Sequence, residues 1–334
     1  MLTLEILDDG GVFRHSDDYE RIVEELDKAL EHRDDRKLSP SKYIKTLRML
    51  VDRYPHFIDG HAHLGYALMN EGKPKLALQA CLDGLQVGER MIPKGYAGLI
   101  EWGFLENRPF LRAAYGVVLS QLRLGQRNDA LRLMDRLLTW DPNDNQGIRY
   151  LIGSEYLRAG EAAKAERVFT DEAANYPPYY YEHALLHLKA GDAVSAATKL
   201  RHGFMANGYI AEMLSGNPEP AALAIWHGSN LAEPETARNY LDQCGDLWRR
   251  TPGALAFVRW LHTHPKTLTE RIVVLECQEA LLWEHDFEKR HALGLKEEAA
   301  RARIDGALSA EIVRKRPDRH GRMIEPWRYQ HTGL

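Results

Sequence analysis

The apolar positions along residues 146–177 have the spacing of two short helices joined by a tight turn. Small and large residues follow one another there in the order Ile152, Gly153, Tyr156, Gly160, Ala165, Phe169 and Pro177. Glycine adopts a left-handed backbone at little cost, so Gly160 is expected to end the first helix. Proline cannot continue a helix, so Pro177 is expected to stop the second. The segment predicts a helical hairpin whose helices cross at the small residues.

The same arrangement recurs along the chain. A glycine followed five residues later by an alanine occurs at Gly72/Ala77, Gly125/Ala130, Gly160/Ala165 and Gly191/Ala196. The last three glycines are separated by 35 and 31 residues, near the 34-residue period, whereas the first two are 53 residues apart, which is one such repeat plus roughly twenty residues. One hairpin cannot bury its apolar side alone, so stacked neighbours are expected. The pattern therefore predicts an all-α solenoid interrupted by an insertion at 87–108.

The order L-G-x2-Y, A-x3-F and P resembles the tetratricopeptide repeat superfamily over residues 40–205. The resemblance implies an all-α, right-handed helical solenoid of about five helix pairs, followed by a C-terminal helical region. It also implies protein or peptide binding. More narrowly, the strings at 106–113, 141–151 and 248–255 resemble bacterial repeat proteins that are distantly like the suppressor of tumorigenicity 7 family. This narrower resemblance implies no catalytic residues.

The pattern divides the chain into an N-terminal extended arm at 1–15, a solenoid at 16–215 and a C-terminal helical cap region with a basic tail at 216–334. Alternating apolar residues in the arm predict a short strand, which either packs on the first helix or pairs with another chain. The insertion is rich in aromatic residues. It is expected to bury Trp102 and Phe104 against the solenoid, because left in water such a cluster would mark an interface instead.

Past the repeats, helices are expected at about 221–227, 234–249 and 296–315. Thr267 and Glu270 have the spacing of a capping box. They predict that a long amphipathic helix begins there and continues to about His291.

Composition narrows the class of protein. The net charge is −4 and the isoelectric point is near 6.4, which argues against a surface devoted to nucleic acid. The three cysteines are scattered and form no disulfide framework or metal-binding motif. The first residues lack a signal peptide pattern, and no apolar run reaches the length of a membrane span. A soluble, cytoplasmic protein is expected.

Candidate chemistry is sparse. Nucleotide-binding, hydrolase and zinc-protease motifs are absent from the sequence, so neither an enzyme nor a cofactor is expected. His183 and His187 lie four residues apart and would share one helix face, and His202 on the paired helix could approach them. We interpret these histidines as polar residues beside an apolar face, with no metal site. A metal-dependent enzyme is the alternative.

The tail at 314–322 is locally basic. Cations are favoured at the C-terminus of a helix, which accounts for the tail without a ligand. The alternative is a nucleic-acid-associated accessory factor that contacts phosphates through this tail.

A binding groove follows from the repeat frame. In tetratricopeptide repeats the first helix of each pair lines the concave face, and the turn glycines fix the frame in this chain. The predicted peptide-binding residues are Tyr66, Asn70, Arg112, Tyr115, Arg123, Tyr150, Arg158, Tyr181 and Lys189. Tyrosines beside basic groups suit an acidic segment or a C-terminal carboxylate, because arginine binds carboxylates bidentately. The sequence therefore predicts a non-catalytic scaffold or adaptor, with Arg123, Arg158 and Tyr150 at the centre of its groove.

Overall fold

Glycines with a left-handed backbone follow four of the helices, at the positions that the repeat pattern predicts. Their φ angles are +68° at Gly72, +74° at Gly125, +78° at Gly160 and +80° at Gly191. In the computed structural model, which describes residues 2–8 and 10–331, the described chain contains sixteen α-helices and two short β-hairpins. The predicted all-α, tetratricopeptide-like architecture is confirmed. None of the described helices is both long and apolar enough to cross a membrane.

The chain divides into two compact units, Met1–Glu155 and Tyr156–Leu334. The elements of the first unit are β1 (Thr3–Ile6), β2 (Gly11–Arg14), α1 (Tyr19–Asp34), α2 (Pro40–Arg53), α3 (Ile58–Asn70), α4 (Pro74–Glu89), α5 (Arg108–Arg123), α6 (Arg127–Trp140) and the start of α7 (Arg149–Ala159). Consecutive helices pack in pairs, and the first helices of neighbouring pairs, α3 and α5, also pack together. The domain boundaries expected from the sequence remain predictions.

Glycines at the crossings let the helices of the first unit approach closely. The Cys81 side chain of α4 lies against Gly65 of α3 and Gly116 of α5. A Cβ atom added at either glycine would come closer than 3.0 Å to the Cys81 sulfur, a separation that real Cβ atoms essentially never show. The small residues of the repeat pattern therefore have a packing role.

The N-terminal arm forms a hairpin with the next segment of the same chain. β1 pairs antiparallel with β2, and Leu4 lies opposite Phe13. The Phe13 side chain is fully buried. The buried Asn107 holds the hairpin through its side chain, which accepts a hydrogen bond from the Phe13 N–H and donates one to the Gly11 carbonyl, both at 3.0 Å. The arm is therefore neither a single strand on the first helix nor a strand that needs another chain.

The insertion at 87–108 is joined to the rest of the first unit by backbone hydrogen bonds. Gly10 and Leu99 form a β-bridge, and the Ile100 N–H donates to the Trp140 carbonyl at 2.8 Å. The Ile100 side chain is fully buried. These contacts involve both the hairpin and the end of α6, so the insertion is a packed segment of this unit.

The aromatic residues of the insertion are less buried than expected. Trp102 is half-buried, and the guanidinium groups of Arg108 and Arg112 lie 5.4 and 5.9 Å from its ring centroid. Phe104 is 40% exposed, so the prediction that it is buried was wrong. The apolar contact is instead made by Ile100, which the aromatic pattern did not single out.

The remaining elements belong to the second unit. They are α8 (Ala162–Glu172), α9 (Pro178–Lys189), α10 (Ala193–Ala206), α11 (Gly208–Leu214), α12 (Pro234–Arg250), α13 (Ala254–His262), α14 (Pro265–Trp283), α15 (Phe287–Ala302), α16 (Gly306–Val313), β3 (Arg316–Pro317) and β4 (Met323–Ile324). Arg201 of α10 is fully buried and joins three helices. It binds the carboxylate of Glu270 in α14 and, at 2.7 Å, the Ser309 hydroxyl in α16.

Several predictions for the C-terminal region were wrong. Residues 221–227 form no helix, whereas the helix expected at 234–249 is α12. The next long helix begins at Pro265, because its cap is His264 and not Thr267, which is buried within the first turn. That helix ends at Trp283, and the expected helix at 296–315 is divided between α15 and α16.

Candidate functional site

A row of accessible side chains follows one side of α3. Asp59, His63, Tyr66 and Asn70 are spaced three or four residues apart, which places them on one face of the helix. The first three are half-buried and Asn70 is exposed in the last turn. The repeat frame predicted Tyr66 and Asn70 and missed the two residues before them.

A second row follows α5. Arg112 and Tyr115 are half-buried, whereas Arg123 is exposed in the last turn. We call these three residues, together with Asp59, His63, Tyr66 and Asn70, the first-helix face. Its seven residues all belong to the first unit.

The two rows are joined where α3 and α5 pack together. Arg112 forms an ion pair with Asp59, whose side chain is only 15% exposed. The Tyr66 hydroxyl donates to the Arg112 carbonyl at 3.2 Å, and His63 Nε2 lies 3.8 Å from Asp59 Oδ1. Arg112 is therefore held by its own chain, and this end of the face is close to neutral in charge.

Tyr66 and Tyr115 lie close together on the first-helix face. Burial raises the pKa of both hydroxyls, and each tyrosine is only partly covered. The Tyr115 side chain contributes to the raised pKa of Tyr66, and Tyr66 Cε2 is 3.8 Å from a Cβ built at Gly116. Both phenols stay neutral at physiological pH, so the pair offers flat apolar area with polar tips.

Arg123 supplies the free positive charge of this face. It is exposed, and within the described residues it forms no ion pair. Its place in the last turn of α5 also favours a cation through the helix dipole. Asn70 occupies the corresponding position at the end of α3 and can donate and accept hydrogen bonds.

The other predicted groove residues are placed differently. Arg158 binds both carboxylate oxygens of Asp246 at 2.9 Å, and its side chain is only 9% exposed. Tyr181 is fully buried, and its hydroxyl donates to the Asn207 carbonyl at 2.5 Å. Arg158 is therefore already paired with a carboxylate of its own unit, and Tyr181 cannot reach a ligand without rearrangement. Tyr150 is half-buried and Lys189 is exposed.

Asp59, His63 and Trp102 are the residues of this region that the repeat frame did not identify. Asp59 and His63 could have been found, because they lie seven and three residues before Tyr66 on the same helix face. Trp102 approaches Arg112 from the insertion, and no local spacing indicates such a contact.

A separate cluster in the second unit contains two histidines and a carboxylate. His183 Nε2 lies 2.8 Å from Glu166 Oε1, and His187 Nε2 lies 3.8 Å from the same oxygen. Burial lowers the pKa of His183 to about 4, so its imidazole is neutral at physiological pH. His202 does not join this cluster, because its ring stacks on Tyr180 with the centroids 5.5 Å apart.

The basic tail is exposed, as a solvated segment would be. Arg314, Lys315, Arg316, Arg319 and Arg322 are all accessible, and β3 and β4 form a short hairpin within the tail. Asp318 pairs with Arg322 at 3.2 Å. Contact with nucleic acid stays a prediction for this segment.

Comparisons with known proteins leave the family open. No family model matches the chain, and no curated protein matches it. A solved structure titled "MamA RS-1 ArsTM double mutant" aligns with 56% of this chain and 93% of its own, at 15% sequence identity and a TM-score of 0.42. A likeness this weak does not identify the family, and the narrower resemblance to the suppressor of tumorigenicity 7 family stays a prediction.

Proposed function

We propose that this protein is a non-catalytic scaffold that binds an extended peptide segment of a protein partner on the first-helix face. The observation that carries the proposal is the arrangement of Tyr66, Tyr115 and Arg123: two adjacent, partly exposed tyrosines and an exposed arginine without an ion pair among the described residues. Aromatic and arginine side chains are the residues that most often dominate binding energy at protein interfaces.

The charge of the face favours an acidic ligand. Arg112 is neutralised by Asp59, so the exposed cation is Arg123. A carboxylate on the ligand would replace water around a guanidinium that already lies at the surface, which costs little desolvation. The tyrosine rings would then pack against the ligand backbone or an apolar side chain. The ligand class is an acidic segment or a free C-terminal carboxylate, as the sequence predicts.

Fluorescence anisotropy with short labelled peptides tests this proposal. Acidic peptides are compared with neutral and basic ones, each with a free or an amidated C-terminus. We expect acidic peptides to bind the wild-type chain, and Arg123→Ala and Tyr115→Ala each to cost about 1–2 kcal/mol of affinity. The Arg123 contribution should fall as salt is added.

Arg48→Ala is the matched control, because Arg48 is an exposed arginine on α2, outside the first-helix face. Circular dichroism must show that each variant keeps its helical content. If acidic peptides bind the folded Arg123→Ala/Tyr115→Ala protein as tightly as wild type, the first-helix face is not the binding site. Binding of no acidic peptide at all would contradict the ligand class.

A further inference from the structure

Three side chains of the second unit present metal-ligand atoms to one another. Glu166 lies on α8, whereas His183 and His187 lie one turn apart on α9. One ligand atom from each residue falls within 4.8 Å of the other two. Within the described residues, no other group of three or more histidine, cysteine or acidic side chains meets this condition.

The separations fit a small ion with nitrogen and oxygen ligands. Zinc binds histidine nitrogens and carboxylate oxygens at roughly 2.0–2.1 Å, so two ligands in a tetrahedral site lie about 3.3 Å apart. The Glu166 oxygen is 2.8 Å from His183 Nε2 and 3.8 Å from His187 Nε2, which bracket that value. The ligand atoms of the remaining pair, His183 and His187, lie within 4.8 Å of each other.

His183 provides a second, independent observation. Its side chain is 1% exposed, yet its Nδ1 has no hydrogen-bond partner among the described residues. Its Nε2 lies 2.8 Å from the Glu166 carboxylate, so the buried ring is matched on one side only. Buried polar atoms left in this state are rare in folded proteins, and a bound ion is one of the few explanations.

The surroundings leave room for an ion with an open coordination position. The side chains of His187 and Glu166 are 19% and 44% exposed, so the cluster opens to solvent on one side. Asp192 Oδ2 lies 4.0 Å from His187 Nδ1, which is too far for a direct hydrogen bond and within the range of a long ion-pair contact. Lys199 of α10 opposes cation binding, because its positive charge interacts with both His183 and Glu166 and would repel a metal ion there.

We propose that Glu166, His183 and His187 bind one divalent transition-metal ion of the zinc class, which links α8 to α9. Two imidazoles and one carboxylate suit zinc, cobalt or nickel better than magnesium or calcium, which prefer oxygen ligands. Three protein ligands leave a fourth position for water or for a donor atom of a ligand. The site is separate from the first-helix face and does not depend on it.

The test uses the untagged 334-residue chain, stripped with chelator and titrated with Co²⁺ and Zn²⁺, with Mg²⁺ as a negative control. Co²⁺ bound to nitrogen and oxygen ligands absorbs visible light, so its spectrum reports the coordination directly. We expect one Co²⁺ per chain, displacement by Zn²⁺ and no response to Mg²⁺. Glu166→Gln and His187→Ala should each weaken binding at least about tenfold.

Two further variants change residues near the site that are not ligands. Lys199→Met removes the repelling charge, so binding should become tighter. His202→Gln removes a nearby histidine that is not a ligand, so binding should be unchanged. Glu166 is partly exposed, so Glu166→Gln is expected to fold even if His187→Ala does not. Absence of a visible Co²⁺ spectrum, or equal affinity in wild type and folded Glu166→Gln, would overturn the site.

Discussion

Replacing Gly65 with alanine should destabilise the first unit, although alanine is the better helix former. Gly65 lies in α3 and faces Cys81 of α4. The added methyl group would come closer than 3.0 Å to the Cys81 sulfur. It would also lie 3.3 Å from the Ala77 carbonyl oxygen. The sulfur cannot simply turn away, because Gly116 of α5 approaches it from another side.

The expected loss in the free energy of unfolding follows from two opposing effects. Overpacking a well-packed crossing costs about 1–3 kcal/mol. Replacing glycine by alanine inside a helix returns up to about 1 kcal/mol through helix propensity. The clash is severe and involves a short side chain, so the upper half of the overpacking range applies. A net loss of about 1–2 kcal/mol should lower the midpoint of thermal unfolding by roughly 2–8 °C.

Chemical denaturation followed by circular dichroism measures this loss, and two further variants isolate its cause. Gly294→Ala makes the same substitution in α15, where a Cβ would meet nothing within 4 Å. It should stabilise by about 0.5–1 kcal/mol. In a Cys81→Ala background the obstructing sulfur is gone, so Gly65→Ala should become neutral or stabilising there.

The double-mutant comparison decides between packing and other causes. A coupling of at least about 1 kcal/mol between positions 65 and 81 is expected for two groups in direct contact. If Gly65→Ala alone leaves unfolding unchanged or raises its midpoint, α3 and α4 do not cross at Gly65 and the repeat frame is wrong.

Three further predictions concern other parts of the chain. Asn107→Ala removes the hydrogen bonds to the hairpin and leaves the Phe13 N–H buried without a partner, which should cost about 1–3 kcal/mol; hydrogen exchange of the β1 and β2 amides should speed up, and unchanged exchange would show that the side chain does not hold the hairpin. Burial lowers the pKa of His262 to about 3 from 6.5. The unfolded chain thus takes up a proton that the folded chain does not, and about 1–2 kcal/mol of stability should be lost between pH 7 and pH 5; His262→Leu should flatten this slope, with the exposed His285→Leu as control. Ala165→Trp places a large ring at a fully buried position of α8 and should destabilise by about 1–3 kcal/mol or more, so an unchanged melting curve would contradict the repeat register.

The sequence by itself determined where most helices begin and end in the repeat region. Gly72 and Gly125 take the left-handed backbone that ends a helix, and this preference depends only on the residue and its immediate neighbours. The same local signals were misleading after residue 215. Thr267 and Glu270 have the spacing of a cap, yet the helix begins at Pro265 and Glu270 pairs with the buried Arg201.

Local spacing also identified which side chains share a helix face, which is why Tyr66 and Asn70 were named together. It could not show whether another element covers that face. Arg158 and Tyr181 have the same repeat positions as Arg123 and Tyr115, but only the first two are held inside the fold. Repeat position describes a residue's direction on its own helix, whereas exposure depends on the neighbours that pack over it.

The tertiary structure alone brought together residues that are distant along the chain. Asp246 neutralises Arg158 from 88 residues away, and Asn107 binds the hairpin from 94 residues away. Glu166 approaches His183 from a different helix, which brings a third ligand atom beside the two histidines. Such partners are selected by the packing of whole helices. The free energy gained by pairing two side chains is small compared with the free energy gained by burying the apolar surface between helices.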